Sequence, residues 1–225
     1  MILQSIDVAR TIIWIALFFL VSGPVHECAH AITALRLGDG TAKLFGRVSL
    51  DPIVHFDPVG GMLLVVTALL GLAYGGGLAF GWAKPTPVNP YNLRGRYANA
   101  RVAVAGPLSN LILAAAFAVG FRLLYSNGGV WPNNTSALNM LQLVFVTGVS
   151  LNVVLMLFNL LPIAPLDGSH VLLDLLDPTT ARRVQLAMNQ YGLFVLIVVV
   201  LFAGQIIGPL VGSLVNLLIG VQYYL

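Results

Sequence analysis

Two histidines and a glutamate lie close together in an otherwise apolar stretch near the start of this 225-residue chain. His26, Glu27 and His30 form an HExxH motif. Residues four apart on a helix project from nearly the same face, so both imidazoles can bind one zinc ion while Glu27 acts as a general base. A five-residue match can arise by chance, but two histidines and a carboxylate are costly inside a hydrophobic helix. The motif therefore predicts one catalytic zinc ion (Zn²⁺) per chain.

A third zinc ligand is expected elsewhere in the chain, because catalytic zinc sites usually take three protein ligands and leave one position for water. Asp167 is the strongest candidate, since it follows an apolar run and two nearby prolines and precedes a glycine. His55, Asp57 and His170 are the competing candidates. For His55 and Asp57 the ordinary interpretation is a solvated or turn-capping role. His170 lies one turn after Asp167, where it could form a hydrogen bond with a zinc ligand without binding the metal itself.

The composition around these residues is that of a membrane protein. Apolar residues make up 58% of the chain and charged residues 8%, whereas a soluble domain carries about a quarter charged residues. The few basic residues are scattered between long apolar runs, which excludes a nucleic-acid partner. The single cysteine, Cys28, excludes an internal disulfide and a multi-cysteine zinc site. We interpret its side chain as a packing residue beside the ligands. We therefore predict an integral, multi-pass protein of the lipid bilayer.

Apolar runs long enough for helices should position the motif. These runs cover residues 12–37, 62–74, 98–124, 138–161, 192–207 and 209–219. Gly23 and Pro24 predict a kink just before His26. In the polar segment that follows, the alternation of Val48, Leu50 and Ile53 with polar residues predicts short strands and turns.

The sequence thus predicts an all-α polytopic membrane protein with about five to six membrane helices. A small re-entrant β/loop region should follow the HExxH helix. We interpret residues 1–225 as a single intramembrane domain, with a catalytic core at about 12–177 and C-terminal helices at about 190–222.

Three clusters of basic residues predict the orientation of the chain in the membrane. The clusters lie at residues 36–47, 84–101 and 182–183. Because basic residues concentrate on the cytosolic side, all three should face the cytosol. They can share one side only if residues 62–83 enter the membrane and return, which the triple glycine at 75–77 and the proline-rich segment after it favour. The active site is then expected toward the cytosolic side.

Taken together, the motifs resemble the site-2 protease family of intramembrane zinc metalloproteases, in its compact prokaryotic form without a PDZ or CBS domain. HECAH ends a membrane helix, FNLLPIAPLDG follows at 158–168, and GRVSLDPIVHFDPVG, FGWAKPTPVNP and AGPLSN lie between them. The resemblance covers residues 15–175. It implies that His26, His30 and Asp167 bind zinc, that Glu27 is the catalytic glutamate, and that Asn159 assists the tetrahedral intermediate. For Asn159, a hydrogen bond between helices is the alternative interpretation.

The resemblance and the residue chemistry imply peptide-bond hydrolysis in or near transmembrane segments of membrane proteins in a prokaryotic cell membrane. This is the reaction of regulated intramembrane proteolysis. An extended edge at 81–90 could hold an unwound substrate by strand addition.

Three alternatives remain open from the sequence. A metal transporter would also place His and Asp in membrane helices, although such proteins more often show paired repeats, which this sequence lacks. An HExxH intramembrane protease of another class, such as a prenyl-protein protease, does not share the 159–168 signature. A non-catalytic membrane scaffold would have no need of Glu27.

Overall fold

The structure is a computed structural model that describes residues 2–74, 79–126 and 137–220, so the triple glycine at 75–77 lies outside the described residues. Helices dominate these ranges, and no strand occurs in them. The helices are α1 (Ile2–Leu17), α2 (Gly23–Arg36), α3 (Thr41–Leu44), α4 (Pro52–His55), α5 (Pro58–Tyr74), α6 (Ala98–Ser126), α7 (Ala137–Asn159), α8 (Asp167–Leu175), α9 (Pro178–Ile206) and α10 (Gly208–Ile219). The prediction of an all-α protein is confirmed.

Within the described ranges, four stretches of helix are long and apolar enough to cross a membrane. They are Val8–Arg36, Ala98–Leu124, Met140–Asn159 and Pro178–Phe202, and two shorter apolar helices cover Pro58–Ala73 and Gly208–Ile219. On α9, Leu193 and Phe194 are 70% and 69% exposed, which suits a helix surrounded by lipid rather than by water. The chain is an integral membrane protein.

The helix that carries the HExxH motif contains a π-helical turn at Phe18–Ser22. Pro24 has no N–H, so the carbonyl of Leu20 loses the donor that an α-helix would supply. In the same turn, the Gly23 N–H donates to the carbonyl of Phe18. In an α-helix it would donate to the carbonyl of Phe19, so the turn contains one extra residue. The kink predicted before His26 is therefore present as a widened turn, after which α2 continues through the motif.

The prediction of short strands after α2 is wrong. Residues 47–51 are irregular, and α3 and α4 are single-turn helices. Asp51 Oδ1 accepts the Ile53 N–H at 2.9 Å and starts α4 at Pro52, an arrangement that begins a helix rather than a strand. The alternation did not mark a buried sheet face, because Leu50 and Ile53 are 62% and 82% exposed.

From residue 79 the chain runs back along α5 without regular secondary structure. The Phe80 N–H donates to Thr67 Oγ1 at 2.8 Å, on the face of α5. The Lys84 N–H donates to the His55 carbonyl at 2.8 Å, just before α5 begins. The return segment therefore reaches the end at which α5 started, as the predicted re-entrant path requires.

The centre of the bundle is formed by α6, α7 and α10, which share the main buried apolar cluster. Two glycines let α6 and α7 approach closely: a Cβ on Gly120 would lie 2.3 Å from the Phe145 ring, and one on Gly148 would lie 2.6 Å from the Phe117 ring. Small residues at helix contacts are typical of membrane bundles. Because α6 also contacts α2 and α8, it brings these two helices together.

The three basic clusters lie at one end of this bundle. The Arg94 N–H donates to the Leu37 carbonyl at 2.8 Å, directly after α2. Asp174 Oδ2, on α8, accepts the Ala100 N–H at 2.9 Å and caps the start of α6. Since α9 begins just after α8, the 182–183 cluster follows at the same end.

Cysteine labelling tests this arrangement. In a background with Cys28 replaced by Ala, we expect Lys43→Cys, Arg96→Cys and Arg183→Cys to react with an impermeant maleimide from the same side of sealed vesicles. All three positions are exposed and belong to clusters at one end of the bundle. Labelling in detergent is the control for reactivity. Labelling of position 96 from the opposite side would contradict the return path and make the 58–83 segment a full span.

Candidate metal centre

Two helices bring His26, His30 and Asp167 to one point. The histidines lie on α2, and Asp167 begins α8. His26 Nε2 lies 3.0 Å from His30 Nε2 and 3.2 Å from Asp167 Oδ2, and His30 Nε2 lies 3.4 Å from the same oxygen. Both imidazoles are buried and the carboxylate is half-buried. Among the described residues, these three form the group of His, Cys, Asp or Glu side chains that could hold a metal ion.

Hydrogen bonds on the far side of each ring fix which nitrogen carries the proton. His30 Nδ1 donates to the Val102 carbonyl at 2.7 Å, an oxygen that can only accept. Asn110 Nδ2 donates to Asn152 Oδ1 at 2.9 Å, so Asn110 Oδ1 accepts from His26 Nδ1 at 2.6 Å. Both Nδ1 atoms therefore carry the proton of the neutral ring. The lone pairs of both Nε2 atoms face the centre of the site.

The donor set fits zinc. Asp167 Oδ2 is buried and has no hydrogen-bond partner among the described residues, so it adds a third acceptor to the two Nε2 lone pairs. Three such acceptors repel one another unless a cation lies between them. With zinc–nitrogen and zinc–oxygen bonds near 2.0–2.2 Å, tetrahedral ligand atoms lie about 3.3 Å apart. The observed separations of 3.0–3.4 Å match that spacing.

A carboxylate binds a metal ion in its anionic form, so Asp167 would bring a negative charge to a site otherwise lined by two neutral imidazoles.

Two glycines let the backbone approach the site closely. A Cβ on Gly168 would lie 2.3 Å from the Leu160 carbonyl oxygen, so the glycine after the aspartate lets α8 begin against the end of α7. A Cβ on Gly106 would lie 2.3 Å from His30 Nε2 and 2.6 Å from His26 Nε2. Any side chain at residue 106 would therefore enter the space between the two metal-facing nitrogens.

Glu27 is held by a segment far from it in sequence. Its Oε2 accepts the Thr86 N–H at 2.7 Å, and Thr86 Oγ1 donates to the Glu27 backbone carbonyl at 2.9 Å. Residues 84–92, which we call the strap, contain the proline-rich sequence around Thr86. The strap thus places one backbone donor and one hydroxyl directly on the predicted catalytic glutamate.

A second carboxylate anchors the strap. Asp39 is fully buried and accepts hydrogen bonds from Thr41 Oγ1 at 2.6 Å, the Asn89 N–H at 2.7 Å and Asn92 Nδ2 at 3.0 Å. Burial raises the pKa of Asp39, but these hydrogen bonds outweigh it and keep the pKa below its ordinary value. The charged form of Asp39 therefore holds the strap against the end of α2.

The competing candidates for the third ligand lie outside the group. His55 is buried, and its Nε2 donates to the Ser49 carbonyl at 2.8 Å. Asp57 Oδ1 accepts the Val59 N–H at 2.9 Å and caps α5, which is the capping role its position suggested. His170 is exposed on α8. Each of these side chains has a place in the fold that is separate from the His26–His30–Asp167 group.

Asn159 ends α7 and is half-buried. Its Nδ2 donates to the Leu155 carbonyl of the same helix at 2.9 Å, so this bond does not join two helices. A role at the tetrahedral intermediate stays a prediction. Cys28 is buried on α2 and does not belong to the metal-binding group.

Sequence reasoning missed the residues that support the site. Asn110 and Asn152 could have been recognised from the sequence, since amides inside apolar runs are costly unless they are paired. Thr86 could also have been recognised, because it lies between two prolines that restrict its backbone. Asp39, within a Gly-Asp-Gly turn, carried no signal that distinguishes a buried anchor from a solvated turn.

Helices that suit a bilayer and an HExxH motif with a buried third acceptor define a membrane protein with a hydrolase-type metal centre. The family model described as "Peptidase family M50" matches residues 125–203, which include Asp167. A Bacillus subtilis (strain 168) protein named "Putative zinc metalloprotease YwhC" is 39% identical over 82% of this chain and 78% of its own length.

Two further relatives carry the name "Putative zinc metalloprotease Rip2". The protein from Mycolicibacterium smegmatis is 29% identical over 87% of this chain and 71% of its own length. The protein from Mycobacterium tuberculosis (strain H37Rv) is 30% identical over 88% of this chain and 70% of its own length. No solved structure matches the chain significantly.

The chain belongs to peptidase family M50, the site-2 protease family. It is a membrane zinc metalloprotease, and zinc is its cofactor. The predicted family is confirmed, and the transporter, scaffold and prenyl-protein protease alternatives are set aside.

Zinc analysis of purified variants tests the ligand set. We expect about one zinc per chain in the wild type and a sharp loss in His26→Ala and Asp167→Ala, because each removes one of the three predicted ligands. His170→Ala, which changes an exposed histidine on the same helix as Asp167, should keep its zinc. Full occupancy in Asp167→Ala would contradict the proposed set and direct attention to His55 or Asp57.

Proposed function

We propose that this protease hydrolyses peptide bonds in or near transmembrane segments of other membrane proteins, as in regulated intramembrane proteolysis. One observation carries the proposal: the His26–His30–Asp167 group and Glu27 lie on and against helices suited to a bilayer. A substrate that itself lies in the membrane can reach a site in that position.

The proposed zinc ligands are His26, His30 and Asp167. Their support is the convergence of three buried acceptor atoms, with both imidazoles oriented from behind by Asn110 and the Val102 carbonyl. When bound, zinc supplies a Lewis acid that makes water more acidic and polarises a peptide carbonyl.

Glu27 is the proposed general base. With Oε2 held by the Thr86 N–H, its Oε1 remains to take a proton from the attacking water and to return that proton to the leaving amine. The half-buried position of Glu27 suits a group that exchanges protons with water at the edge of an apolar site.

Asn159 is proposed to donate its Nδ2 proton to the oxyanion that develops on the substrate carbonyl. The same Nδ2 now donates to the Leu155 carbonyl, so the amide must rotate about its side-chain bonds to do this. Its position as the last residue of α7 and its partial exposure give it room for that rotation.

The extended return segment is the proposed substrate edge. A transmembrane helix hides its carbonyls in its own hydrogen bonds, so a substrate must unwind before hydrolysis. Residues 79–89 form no helix, the contacts of Phe80 with Thr67 and of Lys84 with His55 draw this segment out along α5, and Thr86 lies on Glu27. A substrate strand that pairs with this edge would therefore pass the catalytic glutamate.

The active site is proposed to face the cytosol in a prokaryotic cell membrane. The three basic clusters share one end of the bundle, and the positive-inside rule assigns that end to the cytosol. His30 lies about 9 Å along the helix axis from Arg36 at that end, so the site is nearer the cytosolic surface.

Co-expression with candidate single-span proteins tests the proposed reaction. We expect fragments with the wild type and none with Glu27→Gln, because an amide cannot accept the proton of the attacking water. Zinc in this variant should stay near one per chain. Cys28→Ala, the neighbouring change on the same helix, should still cut. Fragments that form at the wild-type rate with Glu27→Gln would contradict the proposal.

A second comparison tests Asn159. Loss of an oxyanion donor should lower kcat in Asn159→Ala by roughly 10²–10³, with normal zinc content and thermal stability. Asn159→Asp should be at least as slow, since a carboxylate repels a developing oxyanion. An Asn159→Ala protein that is stable, zinc-loaded and nearly as fast as the wild type would remove this role.

A further inference from the structure

We propose that Thr86 is a positioning residue for Glu27, which it clamps through two hydrogen bonds so that one carboxylate oxygen is held and the other is left for proton transfer. This inference rests on the proposed role of Glu27 as the general base.

The two bonds from Thr86 reach different parts of one residue. The N–H binds the side-chain Oε2 at 2.7 Å, and the hydroxyl binds the main-chain carbonyl at 2.9 Å. A single bond would restrain a distance, whereas two bonds from one residue to another also restrain their mutual orientation. The Glu27 carbonyl has two lone pairs and can accept the hydroxyl in addition to its helical donor.

Neighbouring prolines prepare Thr86 for this contact. Pro85 and Pro87 have no N–H, so Thr86 supplies the backbone donor at this point of the strap. The residue before a proline is also kept out of the helical region and held extended. Little conformational freedom is therefore lost when the Thr86 N–H binds the carboxylate.

The strap is anchored on both sides of Thr86 by other contacts. The Lys84 N–H donates to the His55 carbonyl at 2.8 Å, and the Asn89 N–H donates to Asp39 Oδ2 at 2.7 Å. Because these anchors do not involve the threonine hydroxyl, a change of that hydroxyl should leave the strap in place. Its effect should appear at Glu27.

A held carboxylate favours catalysis because a glutamate side chain has several rotatable bonds. If the side chain were free, its rotamer freedom would have to be lost on the way to the transition state. Thr86 removes that freedom in the ground state.

Matched threonine variants test the clamp in the cleavage assay. Thr86→Val keeps the shape and loses the hydroxyl, so we expect kcat to fall about threefold to tenfold, the effect of one ordinary hydrogen bond. KM and zinc content should not change, and Thr86→Ser should recover most of the rate. Thr179→Val is the control, since it removes a hydroxyl bond to the exposed Asp177, outside the strap, and should keep the wild-type kcat.

Hydrogen exchange gives a readout that does not depend on activity or on zinc. In residues 84–90, three prolines leave backbone N–H groups at Lys84, Thr86, Val88 and Asn89. Exchange in this peptide should rise in Glu27→Ala, which removes the acceptor of the Thr86 N–H. It should stay near the wild-type level in Glu27→Gln, whose amide oxygen can still accept.

The inference is overturned if Thr86→Val keeps the wild-type kcat, if Thr86→Ser is as slow as Thr86→Val, or if exchange is unchanged in Glu27→Ala. Its failure is distinct from failure of the proposed function. Normal cleavage by Glu27→Gln would remove the function itself. An inactive Glu27→Gln beside a fully active Thr86→Val would remove only the clamp.

Discussion

Repulsion between three electron-rich atoms governs the architecture around the site. The Nε2 atoms of His26 and His30 and the Oδ2 atom of Asp167 lie within 3.4 Å of one another, where water can screen them only weakly. In such surroundings, acceptors without donors are costly, and a divalent cation turns their repulsion into attraction. The proposed zinc ion is therefore both the source of the chemistry and the link that holds α2 and α8 together.

The polar residues behind the site form a series in which each has a partner. His26 donates to Asn110, Asn110 donates to Asn152, and Asn152 donates to the Gly148 carbonyl at 2.9 Å. This series crosses α2, α6 and α7, and both asparagines are fully buried. A buried network stabilises a unique arrangement when it is fully satisfied. The same bonds that fix the tautomer of His26 also fix how three helices meet.

Much of the fold and the family could be predicted from the sequence because the signals were local. Apolar runs predicted the helices, and HExxH placed two imidazoles on one helical face. The spacing of basic clusters indicated the return of the chain after α5, since a full span would have put those clusters on opposite sides. The family resemblance rested on motifs that span most of the chain.

The prediction of strands at Val48–Ile53 was wrong because alternation indicates a strand only if one face of the sheet is buried. The apolar side chains of this segment are exposed, so they form no buried face. The contacts of Glu27 with Thr86 and of His26 with Asn110 join residues 59 and 84 positions apart. No local pattern shows which of many polar residues will meet across such a distance, so these partners had to come from the structure.

X-ray absorption at the zinc edge of the wild-type protein tests the proposed ligand set, because it reports the atoms bound to the metal. A His26–His30–Asp167 site predicts scattering from two imidazole rings and from oxygen at about 2.0–2.2 Å, with no sulfur. A sulfur shell at about 2.3 Å, which only Cys28 or a methionine could supply, or a third imidazole would contradict the His26–His30–Asp167 site.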